Sequence, residues 1–358
     1  MIIKLKFLEK FLIKSLRFEI LKIKGYELDL ENVVKTINKK NYKRVVLQLP
    51  EGLKRSFVDL IKYIENQTNA EVLISADFCF GACDLIDNKL VDLGVDIIVQ
   101  IGHAPIPKLK SFTIPTIFLN ASFDVNIDNL IKKVIPFFKG KKIGLISTAQ
   151  HVNDLNKISN KLVGKQFDTF IAKGDSRIAF KGQILGCNFS SAKRIADKID
   201  EFLFIGSGTF HPLGLILSTK KPVIAYDPYT NKVKKKELED LKDMVLKQRY
   251  GAIARSKDAK NFGILIGLKS GQQRIKLTED LKNLIESKNK KAYMIVVDYF
   301  SPIFLEGFSY IDCFVSTSCP RIAIDDYLQY KIPIITPVEL KILFNKISWD
   351  MYEFDEII

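Results

Sequence analysis

No stretch of this 358-residue chain stays apolar for the roughly 18 residues that a membrane-spanning helix needs. A helical span is therefore not expected. The G-x-x-x-x-G-K-[ST] phosphate loop is missing as well. GSGTFH at 206–211 lacks the third glycine of G-x-G-x-x-G and does not open the first βαβ unit, so it carries no dinucleotide-binding argument. Cysteine is scarce. Cys79, Cys83, Cys187, Cys313 and Cys319 are all there are, and no two stand as C-x2-C. A structural zinc site usually takes four protein ligands with such pairs, which argues against one here. An odd number of thiols in a Lys-rich chain without a secretory signal points to a reducing, cytoplasmic setting.

What is present has the balance of a globular protein in water: 47% hydrophobic and 27% charged residues. The length suffices for two or three domains with buried cores. Lys and Arg number 55 against 41 Asp and Glu, a formal charge of +14. Such a surplus suits an anionic partner, nucleic acid or acidic protein. The lysines are scattered, however, so solvated faces account for most of the charge and no direct nucleic-acid role is expected. Within 2–24 the basic residues alternate with Leu5, Leu8, Leu12 and Leu16 at helical spacing. Part of that segment is expected to be a basic amphipathic helix packed on the body of the protein or on another subunit.

From residue 26 onward helix-like and strand-like segments alternate, with helices expected over LDLENVVKTINKK (28–40), around 57–66 and after the paired cysteines. RVVLQLP (44–50), EVLISAD (71–77), VDIIVQIGH (95–103) and TIFLN (116–120) are rich in Val, Ile and Leu without polar alternation. That pattern suits parallel strands covered on both faces. The rhythm then repeats. The second copy runs from KKIGLISTAQ (141–150) through 167–172, GQILGCN (182–188), EFLFIGSGTFH (201–211) and KPVIAYDP (221–228). A charged helix over about 233–249 leads into the third: NFGILIGLKSGQ (261–272), KAYMIVVDYFSP (291–302), YIDCFVSTSCPR (310–321) and IPIITP (332–337). The reading is an α/β protein of three homologous domains, each a small, mainly parallel four-stranded sheet flanked by helices. Their boundaries fall at 26–140, 141–230 and 231–345, after a basic extension at 1–25. An acidic tail at 346–358 is expected to be ordered only by docking.

The stretch ISADFCFGACDLID (74–87) carries two of the five thiols. An apolar strand breaks off at Asp77, and Gly81 and Ala82 leave the backbone before Cys83 open to close approach. Taken alone it reads as a local two-thiol site. Against the repeats it reads differently. Cys83 follows the second strand of copy one, Cys187 holds the matching place in copy two, and Cys319 follows the third strand of copy three. All three fall at carboxyl ends of parallel strands, where open α/β sheets put their ligands. If the copies face a common axis the sulfurs converge; if not, they are three unrelated buried thiols. Three thiolates suit a [4Fe–4S] cluster with one iron left open for a substrate. Cys79 and Cys313 have no counterparts, and Cys313, inside an apolar strand, reads as a buried structural thiol.

GACD around Cys83, GQ-x-x-GC ending at Cys187 and STSCPRIAIDD from Ser316 resemble the archaeal family of 2-(3-amino-3-carboxypropyl)histidine synthases, the first enzymes of diphthamide synthesis. RVVLQLPEGLKR (44–55) and KSGQ (269–272) fit the same family, and the resemblance spans about 26–337. It implies three homologous domains in pseudo-threefold array around a central [4Fe–4S] cluster, with Cys83, Cys187 and Cys319 as its ligands. It implies a homodimer and an electron donor that the sequence does not identify. It also implies S-adenosylmethionine as co-substrate, used in a noncanonical way. C-x3-C at Cys79 and Cys83 is followed by Ile86 where the ordinary radical motif needs its third cysteine. In the family the methionine sulfur–Cγ bond breaks, and the 3-amino-3-carboxypropyl radical adds to a histidine of translation elongation factor 2.

Other candidate residues sit in the loops that follow strands. Gln48, Glu51 and Gly52 in copy one, and Lys269, Gly271 and Gln272 in copy three, are expected to hold the adenosine or methionine end of the cofactor. Capping of the next helix is the competing role for Glu51. His103 occupies the slot that Cys319 fills in copy three, and is either an acid–base group or a structural hydrogen-bonder. Arg321, Asp325 and Asp326 follow Cys319, where they orient the cofactor's amino or carboxylate group or form a helix-terminus ion pair. Two other readings compete: a [4Fe–4S] dehydratase resembling quinolinate synthase, and a basic RNA- or ribosome-binding protein with incidental thiols.

Overall fold

A computed structural model of the protein describes residues 21–23 and 25–358. The amphipathic helix expected within 2–24 falls outside these residues except at 21–23. The chain divides into two compact units. The first holds the described residues up to Cys79 with Ile86–His103 and Phe112–Phe123; the second holds Phe80–Leu85, Ala104–Ser111 and Asp124–Ile358. No helix among the described residues is long and apolar enough to cross a membrane.

In the first unit, β1 (Leu21–Ile23) and β2 (Tyr26–Leu28) pair antiparallel. The helix Leu30–Lys40 follows. The Asp29 carboxylate accepts the Asn32 N–H at its start, and Asn41, with φ of 53°, closes it in the left-handed conformation. Leu30, Val33, Val34 and Ile37 form its buried stripe. They share a core with Val45, Leu47, Ile97 and Val99 from the strands, apart from Val34, which lies outside that cluster. Those strands are β3 (Arg44–Gln48), β4 (Glu71–Ile74), β5 (Ile97–Ile101) and β6 (Thr116–Leu119), parallel throughout in the order β4-β3-β5-β6. β7 (Ser122–Phe123) joins β2. The helix expected after the paired cysteines does not form; only 3-10 turns at Asp87–Lys89 and Val91–Leu93 do. The Asp87 carboxylate instead accepts the Thr113 N–H at 2.7 Å, which ties the segment sideways, and Gly94 with φ of 62° ends it.

The second unit carries two more sheets. β8 (Lys142–Ser147), β9 (Asp168–Phe170), β10 (Glu201–Ile205), β11 (Val223–Asp227) and β12 (Lys232–Lys234) lie in the order β12-β11-β10-β8-β9, with only β12 antiparallel. β13 (Asn261–Gly267), β14 (Lys291–Val297), β15 (Cys313–Ser316) and β16 (Ile334–Ile335) are all parallel, in the order β14-β13-β15-β16. GQILGCN adds no strand, only isolated bridges from Gln183 to Ser147 and between Leu185 and Asn188, and Gly182 turns the chain with φ of 72°. The charged helix runs over Lys236–Arg255, later than the charge pattern suggests. The tail is docked on its own unit. Tyr352, Phe354 and Ile357 are 2–3% exposed, and the Phe354 ring meets those of Phe189 and Phe210 at 5.4 and 5.9 Å.

The three parallel sheets share one local strand order, second-first-third-fourth. They also share an aspartate just before the third strand that caps the start of the first. Asp96 accepts the N–H groups of Lys43 and Arg44 (2.6 and 2.9 Å), Asp200 those of Lys141 and Lys142 (2.9 Å each), and Asp312 those of Lys260 and Asn261 (2.9 and 2.8 Å). Each carboxylate thereby satisfies strand-end donors that no neighbouring strand reaches. The sequence trace is V-D-I-I at 95–98, I-D-E-F at 199–202 and I-D-C-F at 311–314.

Candidate metal centre

Cys83, Cys187 and Cys319 all belong to the second unit, and each is half-buried. Cys319 comes three residues after β15, just before the short helix Arg321–Ile324. Cys187 sits in the turn closed by Leu185 and Asn188. Burial is the first force on every one of these thiols and pushes its ionisation upward. The Cys83 thiolate then raises Cys187, which reaches about 12, and Cys187 and Cys83 together raise Cys319. The three sulfurs are thus within electrostatic reach of one another. Among the described residues no three His, Cys, Asp or Glu side chains close in on a single-ion position. Thiolates bound to separate irons of a cluster need no such common point.

Cys83 is held by the loop after β13. A Cβ on Gly271 would meet the Cys83 Cβ at 2.4 Å and its Cα at 2.5 Å, so only glycine fits beside it. The Gln272 amide donates to the Cys83 sulfur at 3.4 Å while its Oε1 accepts the Ser318 hydroxyl at 2.7 Å. Next to it, Lys269 pairs with Asp84 at 2.7 Å and lies 4.7 Å from the centre of the Phe80 ring. Gly271→Ala is expected to displace Cys83, with a loss of stability of about 1–3 kcal/mol from overpacking. Denaturant melts of the apo chain check the first effect, and iron counts after anaerobic reconstitution check the accompanying loss of metal.

Cys187 is supported from the tail. Its carbonyl accepts the Ile357 N–H at 2.8 Å, and Asn188 Nδ2 reaches both the Ile357 carbonyl (3.0 Å) and Asp175 (2.8 Å). Arg274 joins tail and site, pairing with Asp355 at 2.5 Å and donating to the Thr317 carbonyl at 2.6 Å. Arg177 is 3% exposed. Its Nη2 donates to the Gly271 carbonyl at 2.9 Å, while its Nε has no partner and no carboxylate pairs with it among the described residues. A buried guanidinium without a counter-charge is costly, so the centre calls for an anion. A cluster ligated by three thiolates is such an anion, and the donors present fit it.

The other expected residues are distributed as follows. Lys269, Gly271 and Gln272 gather at Cys83, as described. Arg321 pairs with Asp325 at 2.9 Å and stacks its guanidinium over Phe210 at 4.9 Å. Gln48, Glu51, Gly52 and His103 belong to the first unit. There the side chains of Gln48 and Gln100 hydrogen-bond at 3.3 Å, Glu51 pairs with Lys54 at 2.5 Å, and a Cβ on Gly52 would meet nothing within 4 Å. His103 Nδ1 stands 3.8 Å from the Cys79 sulfur. Sequence reasoning passed over Arg177 and the tail contacts, and did not assign Asp84 a role. An acid directly after Cys83 and a base ten residues before Cys187 were the available signals.

Burial lowers His103 to about 4, and burial followed by the Arg321 charge does the same to His211. Both imidazoles are neutral at pH 7. Their folded values lie below the unfolded one, so the unfolded chain binds more protons in between. The stability they contribute is complete above about pH 6.5 and is lost as pH falls toward 4. About 2 kcal/mol per histidine is expected to disappear between pH 7 and 5. Urea midpoints at the two pH values test this, and equal midpoints would contradict neutral histidines.

The sequence pattern of the diphthamide synthesis proteins matches residues 49–354. This chain belongs to the diphthamide synthesis family. The 2-(3-amino-3-carboxypropyl)histidine synthase of Pyrococcus horikoshii is 36% identical over 335 residues, covering 93% of this chain and 94% of that protein. The synthase of the same name from Methanocaldococcus jannaschii is 34% identical over 348 residues, covering 93% of each. A crystal structure of Dph2 from Pyrococcus horikoshii with a 4Fe-4S cluster superposes with a TM-score of 0.84 at 35% identity, over 93% of this chain and 94% of that one. Like that structure, the diphthamide-family chain is an α/β protein with several mostly parallel sheets, and it is an enzyme of the transferase class.

Proposed function

We propose that this enzyme transfers the 3-amino-3-carboxypropyl group of S-adenosylmethionine to an imidazole ring carbon of a histidine in translation elongation factor 2, releasing methylthioadenosine. The observation that carries this reading is the gathering of Cys83, Cys187 and Cys319 beside an unpaired Arg177, in a chain 36% identical to a protein named for that product. When bound, a [4Fe–4S] cluster supplies one electron for a radical reaction and leaves one iron free of protein ligands.

The chain's own residues hold and orient. Cys83, Cys187 and Cys319 are the ligands in this reading. Gly271 and Gln272 fix Cys83, and the Lys269–Asp84 and Arg321–Asp325 pairs border the place where S-adenosylmethionine binds. Orientation decides which of three carbon–sulfur bonds breaks. Gln48, Glu51 and Gly52 serve the same cofactor from the other loop set. His103, neutral at pH 7, serves as a hydrogen-bonding group rather than an acid. The three sheets with one strand order and one capping aspartate support three homologous domains at 26–140, 141–230 and 231–345; their pseudo-threefold array belongs to the family reading. The working protein in this reading is a cytoplasmic homodimer served by a separate electron donor.

The reading is tested by incubating the anaerobically reconstituted chain with S-adenosylmethionine and dithionite, then identifying the nucleoside. Methylthioadenosine is expected. A fully loaded enzyme that yields only 5′-deoxyadenosine, or no nucleoside, would sink the proposal.

A further inference from the structure

Four cations act on the three thiols: Lys269 and Arg177 on Cys83, Arg177 and Arg274 on Cys187, and Arg321 on Cys319. Three of them bring a counter-charge of their own, Asp84 for Lys269, Asp355 for Arg274 and Asp325 for Arg321, at 2.5–2.9 Å. Seen from the sulfurs each of these is close to a neutral pair, whose field falls off faster than that of a bare charge. Arg177 has no such partner among the described residues, and it is the cation shared by two of the thiols.

Its position is also held from both sides. Nη2 is bound to the Gly271 carbonyl at 2.9 Å, and the Gly271 N–H donates to the Cys83 carbonyl at 3.3 Å, so a single glycine links the guanidinium to the Cys83 backbone. The carboxylate of its own loop, Asp175, is turned elsewhere. One oxygen accepts the Arg177 backbone N–H at 2.8 Å and the other accepts Asn188 Nδ2 at 2.8 Å, which locks the loop to the residue after Cys187. The Nε is left without a partner. Net charge, hydrogen bonds to sulfur and exposure are the levers that set an iron–sulfur potential. Here one buried side chain supplies the first and has a free donor for the second.

Resting on the cluster reading above, we propose that Arg177 is the positioning residue that sets the reduction potential of the cluster held by Cys83, Cys187 and Cys319. Reduction adds one negative charge to a buried anionic group, and the uncompensated guanidinium offsets that charge. The test uses the full chain, reconstituted anaerobically, with iron counted first and the midpoint potential then measured by a dithionite titration followed by electron paramagnetic resonance. Arg177→Gln is expected to be at least about tenfold harder to reduce, which for one electron is a shift of about 59 mV to more negative potential. Arg177→Lys keeps the charge and is expected to stay within about threefold of the unaltered chain. Loss of iron in Arg177→Gln with a near-native potential in Arg177→Lys also supports the charge requirement. Equal potentials in the unaltered chain and Arg177→Gln, both fully loaded, would overturn it. So would loss of iron from both variants, which would make the role purely structural. An unaltered chain that takes up no iron defeats the cluster reading itself, and the iron count shows this before any titration.

Discussion

Cys187→Ala is expected to abolish stable iron–sulfur loading, and Cys83→Ala and Cys319→Ala are each expected to do the same. Loss of an outer-shell partner alone costs about 10–100-fold in metal affinity, and removal of a ligand costs more. A pair of remaining thiols would also leave Arg177 facing a weaker anion in a buried place. Cys79→Ala and Cys313→Ala should keep full loading. Cys313 is wholly buried in β15 among Phe262, Ile264 and Val315, and burial holds its thiol at about 12. Cys79 contacts His103 in the first unit. Iron and sulfide counts on the five variants decide the matter. Full loading in Cys187→Ala would remove the three-thiol centre.

The largest effect on folding is expected at Arg249. Arg249 and Glu339 are both 0% exposed and form a two-pronged pair at 2.8 and 2.6 Å. Arg249 also donates to the carbonyls of Ile334 and Ala323, and Glu339 closes the capping box with Thr336 at the start of the helix Pro337–Leu343. Arg249→Met breaks the pair and leaves the Glu339 carboxylate buried with fewer donors. A loss of about 3–5 kcal/mol is expected. Glu339→Gln should cost less, because the amide keeps a hydrogen bond to the guanidinium while leaving the buried charge single. Urea unfolding of the apo chains reads both. A change below about 1 kcal/mol in Arg249→Met would show that the pair contributes little beyond its packing.

Much of the scaffold is visible in the amino-acid order because it is local. Apolar runs such as RVVLQ and NFGILIG are strands in place, and Asp29 with Leu30, Val33 and Ile37 marks its helix. Cys83 and Cys319 were legible because each follows a strand, β4 and β15, whereas Cys187 was placed by analogy with the other copies although the strand expected before it does not form. What escaped was set by contacts across long sequence separations. Arg177 reaches the Gly271 carbonyl 94 residues away, and no local pattern marks it as buried. The acidic tail is expected to be ordered only by docking, but the amino-acid order does not show where: Asp355 and Glu356 find partners in Arg274 and in Lys193 and the Phe189 N–H. Residues 87–93 include Asp87, Asn88, Val91 and Asp92, all weak helix formers, and only 3-10 turns form there. GQILGCN has strand-like residues but forms only isolated bridges, and Gly182 turns the chain there.

The most direct measurement of the central claim is mass spectrometry of the target histidine. Elongation factor 2 is incubated with the reconstituted enzyme, S-adenosylmethionine and dithionite, and the histidine-bearing peptide is sequenced. The expected result is a 3-amino-3-carboxypropyl group on an imidazole carbon, formed with the unaltered chain and absent with Cys187→Ala. An unmodified histidine in the presence of a fully loaded enzyme, or equal modification by Cys187→Ala, would contradict the account.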